Sequence, residues 1–163
     1  DYYGYGTFQF RVRFNHKPDN SNLLNSNEKN NNSLGFISMV SFIDNDIAND
    51  IDNEKKIHNE IAIGFDENDP TLIHTAYWGS NDNLTDNERF KKIDTGVNLS
   101  EKSYWYKVEW KKNILNFYFS KDDYDDNSKI KYKLIRNVKS DNKNNKFIHE
   151  SIKIFWNIYN RYT

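Results

Sequence analysis

The chain has 163 residues, enough for one domain with a real hydrophobic core, and its acidic and basic residues nearly cancel to a net charge of -1. That balance argues against nucleic acid and anionic lipid as partners, and no apolar run is long enough to insert into a bilayer. With no cysteine, disulfides and thiolate metal sites are excluded. The chain reads as a single domain over 1–163. It starts at Asp1, not Met, which predicts a module of a longer protein or a processed one.

Thr7 to Phe14 alternates cleanly, with Phe8, Phe10, Val12 and Phe14 on one side and Thr7, Gln9, Arg11 and Arg13 on the other. This pattern predicts a half-buried antiparallel strand. Residues 15–34 are polar, with Pro18 and many Asn and Ser, and read as a loop. Gly35 to Ile43 is apolar on both faces and predicts a central strand. Asp44 to Asn59 is acidic, with Ile47 and Ile51 four apart, as in one short helix or a loop.

His58 to Phe65 is the next strand. Ile61, Ile63 and Phe65 share the apolar face, and Glu60, Ala62 and Gly64 share the other. Asp66-Glu67-Asn68-Asp69-Pro70 is a turn, and Leu72 to Trp78 is a further strand. A second polar loop is expected from Ser80 to about Asp94. Tyr104, Tyr106, Val108 and Trp110 share one face of a strand that turns at Lys111-Lys112-Asn113 and returns over Ile114 to Phe119. Strands are also expected over Ile130 to Ile135 and Ile152 to Tyr159, with Trp110 and Trp156 in the core. Short strands, frequent turns and almost no helical periodicity predict an all-β sandwich.

The acidic runs Asp44-Asn45-Asp46…Asp50 and Asp122-Asp123…Asp125-Asp126 fit no EF-hand spacing and read as solvated loops, with a structural calcium ion as the one cofactor they would suit. His16, His58, His74 and His149 show no metal spacing. No Ser/His/Asp set and no phosphate loop stands out. Three Asn-x-Ser/Thr triplets, at Asn31, Asn83 and Asn98, fit a secreted chain, although Asn is so common here that such triplets arise by composition.

Several stretches fall in one order. Tyr3-Gly4-Tyr5-Gly6-x-Phe8-x-Phe10-Arg11-Val12 resembles the opening strand of family 16 glycoside hydrolases. Gly35-Phe36-Ile37-Ser38-Met39-Val40-Ser41, Asn59-Glu60-Ile61-Ala62-Ile63-Gly64 and Thr75-Ala76-Tyr77-Trp78-Gly79 are similar to successive motifs of its fungal Crh-type chitin–glucan transglycosylases. So are Tyr106-Lys107-Val108-Glu109-Trp110 and the segment ending Asn157-Ile158-Tyr159. The resemblance implies a concanavalin A-like jelly roll of two antiparallel sheets with a sugar cleft across the concave face. It also implies strands outside both ends of the match, so the module is expected to be trimmed or rearranged.

The same resemblance argues against catalysis. A retaining glycosidase needs two carboxyl groups about 5–5.5 Å apart. Glu60 holds the nucleophile position, but Ala62 stands at the middle carboxylate and Gly64 at the acid/base. Asp66 lies roughly 20 Å further along an extended strand. Catalytic residues are therefore expected to be absent, with Glu60 a relic that hydrogen-bonds a sugar hydroxyl or pairs with Arg11, Arg13 or Arg89. Trp78, Tyr77 and Trp105 are the candidate stacking platform, which makes Glu60, Tyr77, Trp78, Arg89 and Trp105 the candidate carbohydrate site.

The first functional reading is a non-catalytic module of a secreted or cell-surface protein that binds β-glucan or a related wall polysaccharide. The alternatives are a protein-binding scaffold module of an extracellular assembly, and a residual transglycosidase that recruits an acid from a loop.

Overall fold

The computed structural model describes residues 5–14, 33–43, 57–66, 69–78, 85–123, 126–139 and 153–160; for 33–43, 57–59, 78, 86, 127 and 153–160 the description is of the backbone. Nine strands follow in chain order among these residues: β1 (Gly6–Val12), β2 (Ser33–Ile43), β3 (Ile57–Phe65), β4 (Leu72–Trp78), β5 (Phe90–Asp94), β6 (Tyr104–Lys111), β7 (Ile114–Ser120), β8 (Lys133–Lys139) and β9 (Lys153–Asn160). The only α-helix among the described residues is the single turn α1 (Asp86–Arg89), before β5. The strands form two sheets, of order β1-β6-β7-β8 and β5-β4-β3-β2-β9, and every pairing is antiparallel. The chain is the all-β sandwich that its alternating pattern predicts, with the jelly-roll architecture that the resemblance implies.

The β6–β7 hairpin shows why. Along β6 burial alternates residue by residue, and Tyr104, Tyr106, Val108 and Trp110 are all at most 2% exposed. Their partners across the ladder include Phe119, Phe117 and Leu115, so one face of the hairpin is a continuous apolar surface. It packs on Ile61, Ile63, Phe65, Ile73 and Tyr77 of the five-stranded sheet. Phe14, just past β1, joins the layers: its ring stacks on Phe65 at 4.6 Å and meets Tyr106 edge-on at 5.8 Å.

Turn chemistry fixes the β3–β4 register. Asp66 N donates to Leu72 O at 3.0 Å, and Asp69 Oδ1 accepts from both Thr71 N and Thr71 Oγ1. The ladder then pairs Glu60 with Trp78, Ala62 with Ala76 and Gly64 with His74. On its other side β3 pairs with β2, setting Ser38 opposite Ala62 and Val40 opposite Glu60.

Two expectations are corrected. The loop expected up to Asp94 ends early, because α1 and β5 occupy Asp86–Asp94. Of β5 only Ile93 is half-buried, so this edge strand lacks the apolar alternation that marks a buried one. Its entry is signalled by Thr85-x-x-Glu88, whose carboxylate Oε2 accepts from Thr85 N and Thr85 Oγ1, both at 2.8 Å. These two bonds hold the Glu88 carboxyl below its ordinary range.

The strand expected at Ile130–Ile135 instead runs over Lys133–Lys139. A 3-10 turn at Asn127–Lys129 and a bond from Lys131 N to Asp122 Oδ2 (2.6 Å) hold the preceding residues out of the ladder. The expectation of a helix or loop over Asp44 to Asn59 falls, up to residue 56, outside the described residues. So does the inward side chain expected for Trp156.

Candidate functional site

Because ladder partners share a face, the outer face of the five-stranded sheet can be read across its strands. Ile61, Ile63 and Phe65 point into the sandwich, so Glu60, Ala62, Gly64 and Asp66 point out. Facing outward beside them are Ala76 and His74 on β4, then Phe90 and Lys92 on β5. Glu60 is half-buried, Phe90 is 39% exposed, and Ala62 and Ala76 are each 1% exposed. The middle of this face is therefore built of small, covered residues. A half-buried carboxylate stands at one end and a charged cluster at the other.

That cluster is centred on Asp66, which is 3% exposed. Its Oδ2 is 2.7 Å from His74 Nε2 and accepts from Lys92 Nζ at 2.7 Å, while its Oδ1 accepts from Asp69 N at 3.2 Å. The turn explains the meeting. Asp66 lies opposite Leu72, which brings His74 to the diagonal position on the same face, and His74 pairs directly with Lys92. Replacing Asp66 by Asn is expected to cost about 1–3 kcal/mol, since the exposed ammonium of Lys92 contributes little but the half-buried His74 and the Asp69 N–H lose an ionised acceptor. Urea unfolding at neutral pH measures it; an unchanged midpoint would refute it.

The remaining sequence-derived candidates divide. Glu60 and Trp78 are ladder partners, and Trp78 is described only as backbone. Tyr77 is 5% exposed and belongs to the core, because it alternates with Trp78 and so faces inward. Trp105 lies on the other sheet: it pairs with Arg11 and Ser120, opposite in sense to Tyr104 and Tyr106. It therefore faces away from the sandwich on the side remote from Glu60. The platform of Tyr77, Trp78 and Trp105 is thus not one surface.

Trp105 has its own neighbours. The Arg11 guanidinium lies 6.0 Å from its ring and pairs with Asp123. On the same face Glu109 Oε2 accepts from Tyr118 Oη at 2.7 Å, which is the main reason the Glu109 carboxyl is held below its ordinary range. Lys107 Nζ reaches Glu109 Oε1 at 3.1 Å and lies 4.0 Å from the centre of the Tyr118 ring. Arg13, a proposed partner of Glu60, donates from Nε to Ser100 O at 2.8 Å.

Arg89 ends α1, and its carbonyl accepts from Arg136 Nη1 at 3.0 Å. Arg136, unanticipated from the sequence, is 8% exposed and crosses from β8 between the sheets. Its Nη1 also donates to Thr75 O (2.7 Å) and Thr75 Oγ1 (2.9 Å), and its Nη2 to Glu88 O (2.6 Å). Burial pulls its pKa below the ordinary arginine value.

Among the described residues, no three His, Asp or Glu side chains are grouped to hold a metal ion. Asp122, Asp123 and Asp126 serve the protein itself. They accept from Lys131 N, pair with Arg11 and Lys102, and cap the 3-10 turn through Ser128.

Solved structures with the same chain path are carbohydrate-active enzymes. A Bacillus licheniformis β-glucanase superposes with a TM-score of 0.62 at 15% identity, covering 99% of this chain and 57% of that one. The fold is that of the β-glucanases. A prokaryotic β-1,3-1,4-glucanase (lichenase) from a mouse hindgut metagenome gives 0.63 at 16% identity, over 98% of this chain and 55% of that one. The Crh5 transglycosylase in complex with NAG gives 0.59 at 15% identity, over 94% and 48%.

The glucanase-like fold therefore agrees with the resemblance to family 16 and its Crh-type branch, and the chain spans about half the length of these structures. No protein-family model matches the chain, and no curated protein matches it in sequence. Among the described residues no helix is long and apolar enough to cross a membrane.

Proposed function

We propose that this chain is a non-catalytic module with a glucanase fold, part of a secreted or cell-surface protein, that binds a β-glucan or related wall polysaccharide. The ligand lies along the outer face of the β3–β4 ladder. One observation carries the reading. On that face Glu60 is followed by Ala62 and Gly64, and the next carboxylate, Asp66 just past β3, is engaged by His74 and Lys92. Double displacement through a covalent intermediate needs a nucleophile and an acid about 5–5.5 Å apart. Asp66 is roughly 20 Å from Glu60 along the strand. What this face retains is a polar group beside a ladder of small residues, which suits a chain of sugar rings laid across it. Glu60 and Trp78 are the contacts assigned to it.

A second reading, a protein-binding scaffold module, is favoured by the 1% exposure of Ala62 and Ala76, since a covered floor is what a filled cleft leaves.

Electrophoresis through gels containing laminarin, mixed-linkage glucan, xyloglucan or a soluble chitin derivative separates the readings. Retardation by at least one polysaccharide is expected, weakened in Trp78→Ala and in Glu60→Ala, with no reducing sugar released. Unretarded migration in every gel would overturn sugar binding. Release of reducing ends, lost in Glu60→Ala, would overturn the non-catalytic assignment.

A further inference from the structure

A second concavity lies away from the β3–β4 ladder, where the edge of one sheet meets the other. The end of β5, the end of β7 and the start of β8 enclose about 190 Å³. This is below the roughly 300–1,000 Å³ of pockets that take whole drug-sized ligands, so it has room for one small group. Lys121, Lys131 and Lys133 line it, with Phe119 and Ile135 as apolar wall and Ser120 among its polar groups. We propose that this pocket is an anion site that takes one carboxylate- or sulfate-type oxyanion, either as a free ion or carried on a saccharide.

The balance of charge and of hydrogen bonds points this way. Asp94 and Asp122 also line the pocket, but each carboxylate is already turned to a backbone N–H. Asp94 Oδ1 accepts from Gly96 N at 2.7 Å, and Asp122 Oδ2 from Lys131 N at 2.6 Å. None of the three lysines forms an ion pair among the described residues. Three ammonium groups therefore stand against two carboxylates that are already hydrogen-bonded, an excess of one positive charge around the pocket.

The turn after β5 locates one of these ammonium groups. Gly96 has φ +67°, a conformation suited to glycine, and a Cβ built on it would lie 3.5 Å from Lys121 Nζ. Ser120 is 2% exposed and its Oγ accepts from Asp122 N at 3.1 Å, which leaves its own hydroxyl hydrogen to donate. Ammonium groups and a buried hydroxyl donor lining one pocket are the donors that an oxyanion accepts from. Ile135, half-buried at the pocket wall, gives the C–H face of a sugar acid a surface to rest on. The site is independent of sugar binding on the β3–β4 face.

The test is an amide NMR titration of the whole chain at low salt with sodium sulfate and, separately, sodium glucuronate, against sodium chloride at matched ionic strength. Saturable shifts of Thr95, Gly96, Ser120 and Lys121 are expected with one or both oxyanions and not with chloride. Tighter binding of sulfate would identify the free ion as the ligand, and tighter binding of glucuronate the saccharide acid. The double variant Lys121→Gln/Lys133→Gln should weaken binding about tenfold. Lys111→Gln/Lys112→Gln, at the opposite end of β7, makes the same change of net charge and should leave it within about twofold. No saturable shift with either anion, or equal weakening by both double variants, would overturn the site.

Discussion

Replacing Arg136 by methionine is expected to cost the fold about 3 kcal/mol, a large share of the total for a domain of this size. Two effects oppose one another. Burying a guanidinium is unfavourable, as the depression of its pKa by burial records, and methionine removes that cost while filling much of the space. Against this stand four donated hydrogen bonds. Those to Glu88 O and Arg89 O fall at a partly exposed helix end, where water can replace the donor. Those to Thr75 cannot be replaced so easily, because Thr75 is 0% exposed: its carbonyl would lose this donor between the sheets, and its hydroxyl would keep only the 3.4 Å bond it donates to Lys91 O.

The stacking of the guanidinium near Tyr77 (5.2 Å) and Phe117 (5.8 Å) is lost as well. The hydrogen bonds win. Lysine should rescue little, since a single ammonium does not span the Thr75 and Glu88 acceptors as a planar fork does. Urea unfolding gives the magnitude, and amide exchange should show β5 opening first, because Arg136 ties α1 to the interior. A loss below about 1 kcal/mol would mean that water reaches Thr75 and that the guanidinium is dispensable.

Arg136 also marks where sequence reasoning stops. The β6–β7 hairpin is legible because its inner residues are large and apolar and its outer ones polar, so the period of two is plain in Tyr104 to Phe119. Glu60, Ala62 and Gly64 are legible as one outward row for the same reason. Arg136 sits in Leu134-Ile135-Arg136-Asn137-Val138, where neither face is wholly apolar and its charge alone would turn it to solvent. A shift of register between Phe117 and Tyr118 accompanies this strand, and Arg136 pairs with buried Phe117 while Leu134 is left 48% exposed.

The Asp66–His74–Lys92 cluster was hidden differently. Each residue was visible, but their meeting depends on Asp66 lying opposite Leu72 and on β5, an edge strand without apolar alternation. The supposed platform failed on parity: neighbours Tyr77 and Trp78 cannot share a face, and Trp105 belongs to the other sheet.

Alkaline unfolding should set in above pH 10 and be governed by Tyr106. This residue is 0% exposed, packed between Phe10 at 5.9 Å, Phe14 at 5.8 Å and Phe119 at 5.5 Å. Burial, with a smaller push from Tyr104, raises its pKa far above the ordinary tyrosine value. The sign follows from linkage. The folded state keeps the proton while the unfolded chain releases it, so the contribution is full below pH 10 and falls as pH climbs beyond it. By pH 12 the loss from Tyr106 alone is roughly 2–3 kcal/mol. Burial also raises the pKa values of Tyr104, Tyr118 and Tyr132, which steepens the fall.

Tyr106→Phe isolates the cause. The Tyr106 hydroxyl is buried with no hydrogen-bond partner among the described residues, so removing it relieves a desolvated polar group and leaves the ring contacts in place. The variant should gain about 1 kcal/mol at pH 7. Its stability should also fall less between pH 10 and 12 than that of the parent. Denaturant titrations at several pH values, read by circular dichroism alongside tyrosinate absorbance, measure both. Parallel pH profiles for parent and variant would show that Tyr106 does not carry the alkaline transition, whatever the shift in absolute stability.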